Sequence, residues 1–390
     1  MSENIETHSA PPFSVSHRDP SSKARAGTLV TPHGTIETPV FMPVGTQASV
    51  KTMASTEIEE MGYGILLANT YHLFLRPGLE TLQKAGGLHS FMSWPKAILT
   101  DSGGFQVLSL AARCQMSEEG VDFSSHVDGT RCRLTPEITT DFQLGIGADI
   151  AMCLDHCPPY PSLESDARAG MEQTLRWAWR CKKSYETWLR QHPNGGSSVQ
   201  PLLFAITQGA SFPAMRRESS RRTVEMEFPG YAIGGLGVGE SKKEMWEFLE
   251  ASLEPLPEDR PRYLMGIGQP EDMWEGVERG VDMFDCVLPT RNGRNGQGFT
   301  SVGRINVTNA VYKEDFSPLD PDCSCLTCAH YSRSYLCHLF RAGELLAPRL
   351  VTLHNLSYMI SLLRRIRQSI VSGDFQKEKR DFFERLKNGQ

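Results

Sequence analysis

The sequence predicts an α/β protein, a (β/α)8 barrel with a small subdomain inserted near the C-terminus. Short apolar runs of four to seven residues recur, and amphipathic stretches such as Ser162 to Gln191 and Lys242 to Leu256 separate them. That alternation is the sequence form of β/α units around a parallel sheet. Eight runs can be counted, the strand number of the TIM barrel: Phe41–Val44, Ile65–Asn69, Ala97–Asp101, Ile150–Asp155, Leu202–Gln208, Tyr231–Leu236, Tyr263–Ile267 and Met283–Leu288. The third observation is a group of three cysteines late in the chain.

The 390 residues suit one large barrel with an insertion, because such barrels run to about 250 residues or more. Hydrophobic residues at 39% and charged residues at 22% are near ordinary globular values and point to neither a disordered nor a membrane class. No apolar run approaches the roughly 18 residues of a membrane helix, and the N-terminus lacks the apolar core of a signal peptide. A cytoplasmic location with no membrane partner is therefore expected. The anticipated segments are a disordered leader at 1–12, a barrel at 13–300, an inserted subdomain at 301–355 and a C-terminal helical segment completing the barrel at 356–390.

Net charge is −6, yet residues 291–390 hold 15 Lys and Arg against 9 Asp and Glu. A basic end of this kind can meet phosphates, although solvated helical faces produce the same excess.

Nearly every run ends in a residue able to do chemistry or to let a ligand approach: Asn69, Asp101, Asp155, Gln208, the Gly234-Gly235 pair, Met265-Gly266 and Asp285. In this barrel, active sites lie at the C-terminal ends of the strands, so these residues should converge on one mouth. Helix capping explains a lone Asp or Gly, but Gln and Met are poor caps. Asp285 is flanked by Met283-Phe284 and Cys286-Val287-Leu288. Burying a carboxylate there without a task costs several kcal/mol or forces protonation.

After Asp101 come Ser102, Gly103, Gly104 and Phe105, two small residues for close approach and a ring for stacking. The turn from Gly234 to Glu240 lacks the lysine of a phosphate loop. Its backbone groups suit a polar heterocycle better. Asp101, Asp155 and Asp285, with the amide of Gln208, can bind a purine edge and spare one carboxylate to attack an anomeric carbon. The same acids could hold a metal, but no His stands among the strand-end residues.

Cys323-x-Cys325-x-x-Cys328 lies in a polar turn. A structural zinc site wants four ligands, so one His is missing, with His330, His338 and His354 as candidates. His330 is close enough to strain closure, whereas His354 would tie the final basic helix to the loop.

Seven blocks together resemble the bacterial tRNA-guanine transglycosylases, also called queuine tRNA-ribosyltransferases. They are Phe41-Met42-Pro43-Val44-Gly45-Thr46, Asn69-Thr70-Tyr71-His72-Leu73, Asp101 to Gln106, Gly234-Gly235-Leu236, Met283 to Arg291, Asn292 to Gly296, and the three cysteines with His354. The resemblance covers the chain from about Phe13 to the last helix. It implies a TIM barrel with one structural Zn²⁺ held by Cys323, Cys325, Cys328 and His354. It further implies a reaction on the wobble guanine, position 34, of the GUN-anticodon tRNAs for Asp, Asn, His and Tyr, in queuosine biosynthesis. Asp285 would attack C1′ and expel guanine, and Asp101 would move the N9 proton as the base preQ1 enters.

The same resemblance assigns base recognition to Asp155, Gln208 and Gly235, with Asn69 beside them and Phe105 and Met265 sandwiching the ring. Leu236, supported by Glu240, would receive the aminomethyl group. Thr290, Arg291, Asn292, Gly293 and Arg294 would hold RNA, and a homodimer would serve one tRNA. Two positions depart from the family pattern: His156 stands where Glu is usual, and Gln269 where Lys is usual. A non-catalytic barrel subunit of a heterodimer is the alternative, and the presence of Asp101, Asp155 and Asp285 argues against it. The archaeal enzymes acting on the D-loop carry additional C-terminal domains, for which this chain is expected to have no room.

Overall fold

The computed structural model describes residues 11–110, 114–193 and 199–389. Eight parallel strands close into a barrel in sequence order: β1 (Val40–Gly45), β2 (Ile65–Asn69), β3 (Ala97–Asp101), β4 (Ile150–Met152), β5 (Leu202–Thr207), β6 (Gly230–Ile233), β7 (Arg262–Leu264) and β8 (Met283–Cys286). All eight expected runs supply a strand. Several strands stop earlier than their apolar run, so Asp155 and Gln208 lie in the loops just beyond β4 and β5. Ser162 to Gln191 becomes the helix Glu164–Gln191, and Lys242 to Leu256 becomes Lys242–Leu253, opened by a capping box between Ser241 and Glu244.

Side chains alternate along each strand, so residues two apart share a face. Met42, Val44, Ile65, Leu67, Ala97, Leu99, Phe204, Ile206, Ala232, Tyr263 and Met283 pack together as the barrel interior. Phe41, Leu66, Ala68, Ile98, Leu203, Ala205, Ile233, Leu264 and Phe284 face outward into the layer under the helices.

Two features had no counterpart in the sequence reading. An antiparallel sheet, Phe13–Arg18, Arg25–Thr31 and Gly34–Thr38, precedes the barrel and sends Phe13, Leu29 and Ile36 into the same interior cluster. Burying each such side chain is worth about 1.5–3 kcal/mol, so this sheet stoppers the N-terminal end of the barrel. A second antiparallel sheet, Cys114–Met116, Val121–Ser124 and Arg131–Leu134, lies between β3 and β4. Ten residues of the expected leader, 1–10, lie outside the described residues.

Beyond β8, the helix Leu288–Arg294 and the hairpin Gln297–Thr300 with Gly303–Asn306 lead into a small cluster of Val307, Leu319, Cys328, Leu336, Leu339, Leu350 and Val351. The helix Leu346–Ser372 leaves that cluster and runs unbroken through residues 355 and 356 to the N-terminal sheet, where Arg367 donates to the carbonyls of Gly27 (3.0 Å) and Thr38. Among the described residues, no helix is long and apolar enough to cross a membrane.

Candidate active site

The interior alternation explains which polar side chains reach the mouth. Asn69 follows Leu67 by two residues, Asp101 follows Leu99, Gln208 follows Ile206, Met265 follows Tyr263 and Asp285 follows Met283. Each takes the inward-facing row one step past the top apolar layer. Asp155 does not obey this parity, and the loop after β4 brings it in.

Asn69 and Asp101 are register partners on β2 and β3, and Asn69 Nδ2 donates to Asp101 Oδ2. Gln106 Nε2 donates to the same oxygen at 2.7 Å, while the Thr70 amide donates to Oδ1 at 2.8 Å. Burial outweighs these donors and, with the charge of Asp285 nearby, pushes the Asp101 carboxyl up to about 7. A group near neutrality can both give and take a proton.

Asp155 is buried and accepts from Gln208 Nε2 at 2.7 Å and from Ser102 Oγ at 3.3 Å. Burial raises its pKa as well. The other amide atom, Gln208 Oε1, is buried with no protein partner among the described residues. An orphaned buried acceptor costs about 1–3 kcal/mol, which a ligand N–H recovers. Glycine is required around it. A Cβ on Gly235, whose φ is +65°, would fall 2.7 Å from that oxygen, and one on Gly104 would fall 2.9 Å from the Asp155 carbonyl.

The Gly234-Gly235 turn is fastened by Arg216, which is fully buried and donates to the carbonyls of Gly234 (3.2 Å), Gly235 (2.9 Å) and Ala210 (2.6 Å). Burial lowers its pKa to about 10, still charged at neutral pH. Sequence reasoning missed Arg216, since one Arg within the polar helix Pro213–Val224 carries no signal. Further along, Glu240 accepts the amides of Gly237 (2.5 Å) and Val238 (3.0 Å), and Leu236 is buried behind them. Phe105 is 52% exposed, and Met265 packs on the interior cluster.

Asp285 Oδ1 accepts from the phenol of Tyr263 at 2.6 Å and from the amide of Gly266 at 2.7 Å. Burial raises the Asp285 pKa and these two donors lower it again, while burial and the neighbouring carboxylate hold Tyr263 firmly protonated. No donor among the described residues reaches Oδ2. Tyr263 was also missed as a site residue, although it stands two positions before Met265 on the same face.

Thr290, Arg291, Asn292, Gly293 and Arg294 lie on the short helix Leu288–Arg294 after β8. Thr290 and Gly293 are buried structural members, and Asn292 Nδ2 donates to Gln297 Oε1 at 2.7 Å. Arg291 is exposed, and Arg294 Nη1 is buried with no partner among the described residues, its guanidinium lowered in pKa by burial and by Arg291. Of the two departures, His156 Nδ1 lies 2.7 Å from Gln173 Oε1 on the long helix, and Gln269 precedes the helix Pro270–Glu278.

Cys323, Cys325, Cys328 and His354 bring four ligand atoms within 4.8 Å of one another; His330 and His338 are not among them. His354 Nε2 is 2.6 Å from the Phe299 carbonyl, which fixes the proton there and turns the Nδ1 lone pair to the sulfurs of Cys328 (3.2 Å) and Cys325 (3.5 Å). Nitrogen and sulfur ligands on one tetrahedral zinc stand about 3.5 Å apart, so the group can hold that ion without rearrangement.

The family model described as "Queuine tRNA-ribosyltransferase" matches residues 19–388. Three similar relatives carry that same name. The one from Caldanaerobacter subterraneus subsp. tengcongensis is 52% identical over 373 residues, 96% of this chain and 97% of the relative. Those from Desulforudis audaxviator and Streptococcus thermophilus are 53% and 51% identical, covering 95% and 93% of this chain and 97% and 93% of their own length. The barrel, its ring of strand-end polar groups and these matches lead to one conclusion: the chain belongs to the queuine tRNA-ribosyltransferase family and is a tRNA-guanine transglycosylase.

Proposed function

We propose that this enzyme replaces guanine 34 of the GUN-anticodon tRNAs (Asp, Asn, His, Tyr) with preQ1 through a covalent aspartyl-ribosyl intermediate on Asp285. The observation that carries the reading is the asymmetric holding of Asp285. Oδ1 is fixed by Tyr263 and Gly266, Oδ2 has no donor among the described residues, and Asp101 lies near enough for the two charges to interact.

Oδ2 attacks C1′ of the ribose as the C1′–N9 bond breaks, and Asp101 gives guanine N9 its proton. The ester so formed is opened when N9 of preQ1 attacks C1′, releasing the Asp285 carboxylate and returning the incoming N9 proton to Asp101. Two inversions give net retention. Asp155, Gln208 and the Gly235 backbone bind the guanine-like edge, with Asn69 holding Asp101 in place and Phe105 and Met265 on the ring faces. The Leu236 carbonyl, on the turn braced by Glu240, receives the aminomethyl group. Arg291 and Arg294, on the helix Leu288–Arg294 with Thr290, Asn292 and Gly293, meet the neighbouring phosphates and uridines.

Cys323, Cys325, Cys328 and His354 hold one Zn²⁺, which supplies rigidity to the fold. A homodimer is the proposed working assembly. Incubation with radiolabelled guanine and unmodified tRNA of the Tyr or Asp type tests the reading. Label should enter the tRNA at position 34; a chain that binds tRNA without exchange is the non-catalytic subunit instead.

A further inference from the structure

The loop after β4 carries Asp155, His156 and Cys157 and lies against one face of the helix Glu164–Gln191. Gly170, Gln173, Thr174 and Trp177 line that face, at the three- and four-residue steps of a helical stripe. A Cβ on Gly170 would fall 2.7 Å from Pro158 Cγ and 3.3 Å from the His156 carbonyl oxygen, so the loop rests directly on the helix. Thr174 Oγ1 accepts the His156 amide at 2.9 Å and donates to the His156 carbonyl at 3.3 Å.

The same face grips the antiparallel sheet between β3 and β4 by its first turn, closed by the Ser117 amide on the Gly120 carbonyl. Gln173 Nε2 donates to the Ser117 carbonyl at 2.7 Å and Trp177 Nε1 to the Glu118 carbonyl at 2.8 Å. Arg180 donates to the carbonyls of Glu118 (2.8 Å) and Glu119 (3.0 Å). Gln173 thus touches both the sheet and the loop, and its two contacts fix each other. The Ser117 carbonyl can only accept, so the amide nitrogen must face it. Oε1 is then turned to His156 Nδ1, 2.7 Å away, which must carry the proton. With Gln173 buried, the loss of either partner strands a polar group.

We propose that Gln173 and His156 are positioning residues for base recognition: they carry the docking of the sheet into the loop after β4 and so set the Asp155 carboxylate against the N–H donors of a guanine-like edge. The proposal rests on the assignment of that edge to Asp155. Asp155 stands outside the inward-facing parity of the strands, so its place depends on how this loop is held. The glutamate usual in the family cannot stand at 156 beside Gln173. Its carboxylate would meet Oε1, acceptor against acceptor, and turning the amide over would set Oε1 against the Ser117 carbonyl. His156 and Gln173 are therefore a matched pair. A glutamate at 156 needs a residue at 173 that donates in both directions, as the forked guanidinium of arginine does.

The test measures exchange of guanine and preQ1 into tRNA of the Tyr type, with a thermal melt, for wild type, Gln173→Met, His156→Glu and His156→Glu/Gln173→Arg. Each single variant should raise KM for the free base at least about fivefold, while kcat and the KM for tRNA stay within about twofold. The double variant should return KM for the base to within about twofold of wild type, because the two positions are coupled. An unchanged KM for the base in both single variants, a fall in kcat and Tm without a change in that KM, or a double variant no better than His156→Glu would each overturn the proposal. No exchange by wild type would instead overturn the reading of the site on which the proposal rests.

Discussion

The phenol of Tyr263 and the carboxylate of Asp285 meet at 2.6 Å at the mouth of the barrel, and the bond engages only one of the two carboxylate oxygens. It orients the group and favours its ionised form against the burial that raises its pKa. Tyr263→Phe should therefore move the acidic limb of the kcat/KM profile upward. A hydrogen bond to a charged group is worth about 1.5–3 kcal/mol, or roughly one to two pH units. An unshifted limb with lower kcat would mean that the phenol matters for geometry alone.

Exchanging the two acids separates their roles. Asp285→Ala should abolish the tRNA adduct that survives denaturing electrophoresis. Asp101→Asn should keep tRNA binding while losing both guanine release and base entry. Persistence of the adduct in Asp285→Ala, together with its loss in Asp101→Ala, would reverse the assignment.

Stability should carry the mark of Asp101. Its folded pKa of about 7 lies above the ordinary carboxylate value, so between about pH 4 and 7 the folded state binds more protons than the unfolded one. Stability from this group is full below that window and is lost as pH rises through it, by at most about 4 kcal/mol. Urea melts from pH 5 to 8 should show wild type losing stability with pH and Asp101→Asn losing less. Parallel pH dependences would remove the buried acid as the cause.

For the cysteine cluster, Cys328→Ser and His354→Ala should each reduce zinc well below one equivalent and lower Tm by roughly 5–10 °C. Full zinc content in His354→Ala would point to a different fourth ligand.

Base choice can be read from competition. Cys157 Sγ lies 3.4 Å from the place a Cβ on Gly235 would take, which leaves little room beside the turn. preQ1 should be incorporated in preference to the bulkier queuine, by more than the ~1–3 kcal/mol of one apolar contact. Equal use of both would show a wider wall than Cys157 suggests.

Period and spacing in the sequence determined the eight strands, because a parallel barrel strand buried on both faces must be written as a continuous apolar run. The same local chemistry pointed to Asp101 and Asp285, since a carboxylate set among apolar residues at a run's end demands a reason. Cysteine spacing pointed to a metal site but left three histidines open, and only the helix Leu346–Ser372 brings His354 to the sulfurs, 26 residues after Cys328 in the chain. Tyr263 and Arg216 were decided by tertiary structure alone. Their partners lie 22 and 18 to 19 residues away, and no local pattern records a contact closed by the barrel as a whole.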